Sequence, residues 1–195
     1  MNTWIAQNKL LWAWWLMGRP VPPPHIVKQR ILKRYASKYE LSIFVETGTC
    51  RGAMVFAMKK YFDRIYSIEL SEEFYLAAKR WFKNDEFIEL IHGDSGIELG
   101  RVINLIDQPA LFWLDGHYSG GETARGTKDT PVIEELEHIY NSKLASQHVV
   151  LIDDARCFGK DKGYPSILEI KNLVRSKIPN AVITVNNDAI HIISQ

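Results

Sequence analysis

The residues best placed to do chemistry are acids. Glu46, Glu69, Asp94, Asp115 and the adjacent pair Asp153 and Asp154 each lie at or just past the end of a short apolar run. Carboxylates gathered in this way suit a cationic ligand, a hydroxyl-rich ligand or a divalent metal ion, and they disfavour a pyrophosphate. Gly48 and Gly52 follow the first acid four residues apart, a spacing that lets the backbone turn sharply and approach a ligand. Glycines at a strand-to-helix turn also serve purely steric ends, so this pattern gains weight only from the acids around it. Acids at these places also cap the next helix against its dipole, which accounts for Asp94 and Glu72 but not for the whole set.

The elements that must position these acids alternate along the chain. Ile43 to Val45, Arg64 to Leu70, Phe87 to Ile91, Ala110 to Leu114 and Val149 to Ile152 read as strands of a buried parallel sheet. Helices are expected between them, at about 52–61, 71–83, from Ser95 with the capping-box partner Glu98, and from Thr130 and Pro131 through about Ser142. The helix at Thr130 should turn Ile133, Leu136 and Tyr140 inward, and Ser166 with Glu169 opens another with Ile167, Ile170, Val174 and Ile178 on one stripe. A helix over 25–39 precedes the sheet, with Val27, Ile31 and Tyr35 on its apolar face and Lys28, Arg30, Lys33 and Arg34 around it. Ala181 to Val185 and Ala189 to Ile193, separated only by Asn186, Asn187 and Asp188, form a hairpin and not a parallel crossover. The reading is an α/β fold: a doubly wound, Rossmann-like, seven-stranded, mostly parallel sheet with an antiparallel terminal hairpin strand and helices on both faces. The polar segment 116–129 exceeds an ordinary turn and reads as a lid or binding loop.

With 195 residues and 46% hydrophobic content, the chain supports one substantial core. We divide it into an aromatic arm with a proline-rich connector, residues 1–24, and a single domain, 25–195. The 24 Lys and Arg nearly balance the 23 Asp and Glu, which argues against general nucleic-acid binding. Cys50 and Cys157 read as two free thiols in a reducing, cytoplasmic compartment. The arm holds Trp4, Trp12, Trp14 and Trp15, and its apolar run is too short to span a bilayer. Three roles suit residues 1–19: a flap on the protein's own sheet or substrate mouth, a homodimer-forming arm, or a peripheral membrane-surface contact. The flap or dimer arm is the simpler expectation.

From residue 40 onward the chain resembles the class I S-adenosylmethionine-dependent methyltransferases, including their terminal antiparallel hairpin. The resemblance implies that Glu46, Gly48 and Gly52 hold the methionine part of the cofactor, that Glu69 binds the ribose hydroxyls, and that Gly93, Asp94 and Ser95 lie against the adenine. Cys50 stands where many members have a glycine. Within the family, Asp115 with Asp153 and Asp154 is similar to the metal-dependent O-methyltransferases of the catechol and macrolide-sugar types. That likeness implies a magnesium site on these three acids, with Asp115 bordering the cofactor as well; a helix or loop cap is the alternative reading of any one of them. His117, two residues past Asp115, is the candidate general base, or else a surface or metal-ligating histidine. Tyr118, Arg125, Lys128, Arg156 and Lys160 are either substrate contacts or solvated charges.

The resulting expectation is methyl transfer from S-adenosylmethionine to a hydroxyl of a small molecule or glycan, assisted by magnesium. Two other classes stand beside it: a nicotinamide-dependent oxidoreductase, which Glu69 about twenty residues past the glycines would fit and the acidic edge opposes, and a non-catalytic cofactor-binding scaffold that recruits partners through its tryptophans.

Overall fold

The computed structural model describes residues 3–116 and 130–194, with side chains from residue 8 onward. His117, Tyr118, Arg125 and Lys128, with most of the expected loop, lie outside the described residues.

Five parallel strands carry the acids. They are β1 (Ile43–Thr47), β2 (Arg64–Glu69), β3 (Ile88–His92), β4 (Ala110–Leu114) and β5 (Val149–Ile152). The hairpin β6 (Val182–Asn186) and β7 (Ala189–Ile193) completes a seven-stranded sheet of order β3-β2-β1-β4-β5-β7-β6, in which β7 is antiparallel to both β5 and β6. The helices are α1 (Thr3–Leu16), α2 (His25–Lys38), α3 (Ala53–Met58), α4 (Glu72–Trp81), α5 (Ser95–Leu105), α6 (Val132–Tyr140) and α7 (Ile167–Lys177). The expected architecture is therefore the observed one.

The strands alternate between two cores because successive side chains in a strand point to opposite faces. Phe44, Ile65, Leu111, Trp113 and Leu151 pack against Leu32 and Ala36 of α2, Met54, Val55 and Met58 of α3, and Ala78 of α4. Val45, Tyr66, Ile68, Phe112, Leu114, Val150 and Ile152 pack against Leu99 and Val102 of α5, Leu136 and Ile139 of α6, and Ile170 and Val174 of α7. Each fully buried aliphatic or phenyl side chain contributes about 1.5–3 kcal/mol relative to an exposed one. The two-faced packing buries β1, β4 and β5 throughout, and it holds their carboxyl ends in register: Glu46 lies opposite Ser67 of β2 and Trp113 of β4.

Local structure departs from the sequence expectation at several element ends. The box expected at Ser95 does not form: Asp94 is the N-cap of α5, its Oδ1 accepting the Gly96 N–H at 2.9 Å, and Ser95 is already helical. The competing Asx cap wins because a carboxylate is the stronger acceptor for a helix N-terminus. Pro131, expected inside α6, is its N-cap, while the Thr130 hydroxyl accepts from Val132 N. The box at Ser166 and Glu169 forms as expected. The hairpin loop is one residue shorter than expected, since Asn186 pairs with Ala189, and Asn187 and Asp188 both take positive φ as a two-residue hairpin turn requires. On α2 the fully buried side chains are Val27, Gln29, Leu32 and Ala36, with Ile31 and Tyr35 only flanking.

The arm helix α1 rests on α2. Arg30 donates to Asn8 Oδ1 at 3.0 Å, and the buried Trp14 donates its Nε1–H to the Pro20 carbonyl at 2.8 Å. Trp12 and Trp15 remain 66% and 54% exposed beside a groove of about 380 Å³. Among the described residues no helix is long and apolar enough to cross a membrane.

One buried group sets an acid limit on stability. His148 Nδ1 accepts the Ala110 N–H at 3.1 Å and its ring meets Phe112 edge-on, so burial pushes its pKa down from 6.5 to about 4. Between those values the unfolded chain holds a proton that the folded chain refuses, so stability falls as the pH falls through this window. The loss should reach about 3 kcal/mol. Urea unfolding of wild type and His148→Gln at neutral pH and near pH 4 should show this component in the wild type only; equal acid sensitivity in both would contradict it.

Candidate functional site

The site lies along the carboxyl edge of the parallel strands, where each strand hands its chain to a loop. At the end of β1, Gly48 takes φ +82°, and a β-carbon there would stand 2.5 Å from the Asp115 carbonyl oxygen. Only glycine allows the β1 and β4 loops to approach so closely. Thr47 fastens the same corner, its Oγ1 accepting the Asp115 and Gly116 N–H groups at 3.3 and 3.2 Å. Gly52, also in the left-handed region, is the N-cap of α3, and a β-carbon there would strike the Phe82 ring.

Glu46 is 2% exposed and receives the Ser67 hydroxyl at 2.6 Å; Ser67 in turn contacts the Thr49 hydroxyl at 2.6 Å. Burial pushes the Glu46 pKa well above the usual carboxylate range, the Ser67 hydrogen bond offsets part of this, and Asp115 and Glu69 push it further up. Glu69 is held by main-chain donors: Cys50 N–H to Oε2 at 2.6 Å and Ser71 N–H to Oε1 at 2.8 Å. This ties the second strand's acid to the glycine loop of the first. Ser95 and Thr47 meet at Gly116, where a β-carbon would lie 3.0 Å from both hydroxyl oxygens. Glu46, Gly48, Glu69, Asp94, Ser95 and Asp115 thus share one strand-end edge, with Gly52 and Gly93 at its loop corners.

Asp153 and Asp154 have different surroundings. Asp153 is fully buried; its Oδ1 accepts the Asp154 N–H at 2.8 Å and its Oδ2 is ion-paired with the Lys28 ammonium. Lys28 lies 3.8 Å from Asp154 Oδ1 and 5.8 Å from the centre of the Trp113 ring. Burial works to lower the Lys28 pKa, but Asp153, Asp115 and Asp154 overcome it and hold the pKa above its ordinary value. Asp154 Oδ1 also accepts from Arg156 at 2.7 Å, and Arg156 reaches across to Asp188 in the hairpin turn. Breaking the buried Lys28–Asp153 pair by removing one partner costs about 3–5 kcal/mol.

Two of the three expected magnesium ligands, Asp153 and Asp154, are therefore engaged by protein cations. Among the described residues no group of three or more His, Cys, Asp or Glu has a geometry that could hold a metal ion, and the carboxylate oxygens of Asp153 fit Lys28 and a main-chain N–H, not a resident divalent ion. Lys28 was expected among the basic residues around the apolar face of its helix. Its signal lay in the helical period: at about 100° per residue, Val27, Ile31, Tyr35, Leu32 and Ala36 fall on one arc, and Lys28 sits inside it. Arg156, expected as either a substrate contact or a solvated charge, is a structural clamp on Asp154 and Asp188. Cys50 is exposed and Cys157 half-buried, both as free thiols, and burial pushes the Cys157 pKa up to about 11, against a nucleophilic role.

No family model matches the chain, and no curated protein matches its sequence. Solved structures do match its fold. An O-methyltransferase from Bacillus cereus in complex with S-adenosylhomocysteine is 13% identical with a TM-score of 0.61, covering 96% of this chain and 90% of its own. The S-adenosylhomocysteine-bound methyltransferase PaMTH1 of Podospora anserina is 15% identical with a TM-score of 0.60, covering 95% and 87%. The O-methyltransferase TomG of Streptomyces achromogenes, involved in tomaymycin synthesis and bound to S-adenosylmethionine, is 11% identical with a TM-score of 0.55, covering 96% and 89%. At these identities the likeness shows the fold alone: this chain shares the seven-stranded, mostly parallel α/β architecture of these structures.

The Gly48 corner makes a discriminating prediction. Gly48→Ala should destabilise the protein by about 2–4 kcal/mol, from backbone strain together with the clash on the β4 loop. Gly18→Ala, at φ +80° with nothing within 4 Å, should cost only the strain of about 1–2 kcal/mol. Denaturant unfolding of the two variants checks this, and equal losses would refute the close approach.

Proposed function

We propose that this chain is an S-adenosylmethionine-dependent O-methyltransferase that acts on a hydroxyl of a small molecule or glycan. The observation that carries the reading is the buried Glu46 carboxylate, which accepts the Ser67 hydroxyl, has two further acids nearby and, among the described residues, has no lysine or arginine as a hydrogen-bond or ion-pair partner. Such a group favours a ligand that brings positive charge, and the hydroxyl-binding capacity of Glu69 beside it suits a ribose. S-adenosylmethionine would supply both, with its methyl group as an electrophile on a sulfonium. A nicotinamide dinucleotide brings a pyrophosphate to an acidic edge, which weighs against it.

In this reading Glu46, Gly48, Gly52 and Asp115 hold the methionine part, Glu69 the ribose, and Gly93, Asp94 and Ser95 the adenine. His117 follows Asp115 by two residues and serves as general base for the acceptor hydroxyl, a role worth about 10²- to 10⁴-fold in turnover. Asp153 and Asp154 are committed to Lys28 and Arg156, so we assign no step to magnesium. The free thiols support a reducing, cytoplasmic setting.

Calorimetric titration with S-adenosylmethionine, beside an identical titration with NAD, tests the proposal. Micromolar binding of the first alone is expected, and NAD binding instead would overturn it. Because the raised Glu46 pKa falls when a cation binds, binding should release a proton and tighten as the pH rises through the window above the usual carboxylate range. Glu46→Gln should raise the melting temperature of the free protein, since it removes the cost of burying a carboxyl group that ionises freely in the unfolded chain, while weakening cofactor binding by about 10- to 100-fold. His117→Ala should lower turnover by the factor above and leave cofactor affinity unchanged; an equal loss of affinity would remove it from the chemistry.

A further inference from the structure

We propose that Lys28 is the resident cation of the acceptor side of this site, seated on Asp153 and Asp154 in the place a divalent ion would need. Three observations converge on it. The Lys28 ammonium is ion-paired with Asp153 Oδ2 and lies 3.8 Å from Asp154 Oδ1, so one protein cation bridges the two adjacent acids. The second oxygen of Asp153 is engaged by the Asp154 N–H, and Asp154 Oδ1 by Arg156. Lys28 also projects from the inward arc of α2 over the Trp113 ring, so packing fixes its approach.

A magnesium ion needs several hard oxygens in a near-octahedral arrangement and keeps water on the remainder. To bind here it would have to expel an ammonium from a fully buried carboxylate and leave that ammonium, 16% exposed, without its partner. An ammonium carries three N–H donors, and Asp153 and Asp154 are its only ion-pair partners among the described residues. The remaining donor can hold an acceptor oxygen as a point charge, which orients the oxygen and favours its deprotonated form without a metal. This acceptor role rests on the methyltransferase reading; the exclusion of metal does not.

The test therefore uses the full chain without cofactor. Wild type, Lys28→Met and Lys28→Arg are titrated with magnesium and with manganese chloride by calorimetry, and their melting temperatures are followed at constant ionic strength. Wild type and Lys28→Arg should give no binding heat and no shift at millimolar metal. Lys28→Met, which keeps length and apolar bulk but frees the acids, should bind the ion and regain melting temperature as it does. Saturable binding with stabilisation in the wild type would overturn the proposal, and so would a folded Lys28→Met that stays indifferent. If Lys28→Met does not fold, the wild-type titration decides alone. Failure of S-adenosylmethionine to bind would refute the methyltransferase reading and leave this result untouched.

Discussion

Burying negative charge at one edge of a parallel sheet is the constraint on which the rest of this structure depends. A parallel sheet brings every strand to the same edge in the same direction, so an acid at each strand end becomes a crowd of acids. Each carboxylate then needs a donor or must lose its charge. The chain meets the requirement in two ways. On the β1 to β3 side the donors are neutral dipoles: the Ser67 hydroxyl for Glu46, the Cys50 and Ser71 N–H groups for Glu69, and the first turn of α5 for Asp94. On the β5 side they are full cations, Lys28 and Arg156.

These two solutions leave the two halves in different electrostatic states. A single hydroxyl donor offsets only part of the cost of burial, and with Asp115 and Glu69 nearby Glu46 keeps a pKa well above the usual range. Fixed cations cancel charge, so Asp153 and Asp154 are satisfied within the protein. The Gly48 corner joins the halves rigidly, because the β4 loop packs against a missing side chain and is fastened by the Thr47 hydroxyl. Asp115, at that corner, is felt electrostatically by both Glu46 and Lys28.

Much of this was legible in the sequence because it is written locally. The apolar runs ending in acids, the hairpin spacing and the Ser166 box each rest on a few consecutive residues, and the structure contains them. The cap of α5 was misplaced by one residue because Asp94 and Ser95 are both competent caps, and only the backbone decides between them. The departures at the site are non-local. Ser67 faces Glu46 through strand register, Arg156 reaches Asp188 from 32 residues away, and Lys28 meets Asp153 across 125. No spacing rule links such pairs. Even so, a lysine inside the inward arc of α2 was a visible violation of amphipathic pattern, and such violations mark either a buried partner or a function.

The division of the edge also constrains what an acceptor can be. Two like unit charges 4 Å apart repel by about 4 kcal/mol in the effective dielectric of a protein surface. In the proposed reading, a cationic acceptor group brought that close to the Lys28 ammonium would meet this repulsion, reduced by the Asp153 and Asp154 carboxylates, whereas a hydroxyl oxygen would meet a donor. In that reading the β1 to β3 side favours the opposite sign, since among the described residues Glu46, Glu69 and Asp94 have dipolar donors. In the proposed reading one edge therefore offers its two ligands different partners: carboxylates with dipolar donors for a positively charged methyl donor, and an ammonium paired with two acids for a hydroxyl compound. That difference follows from which strand end received a lysine from α2 and which, among the described residues, received hydroxyls and main-chain N–H groups.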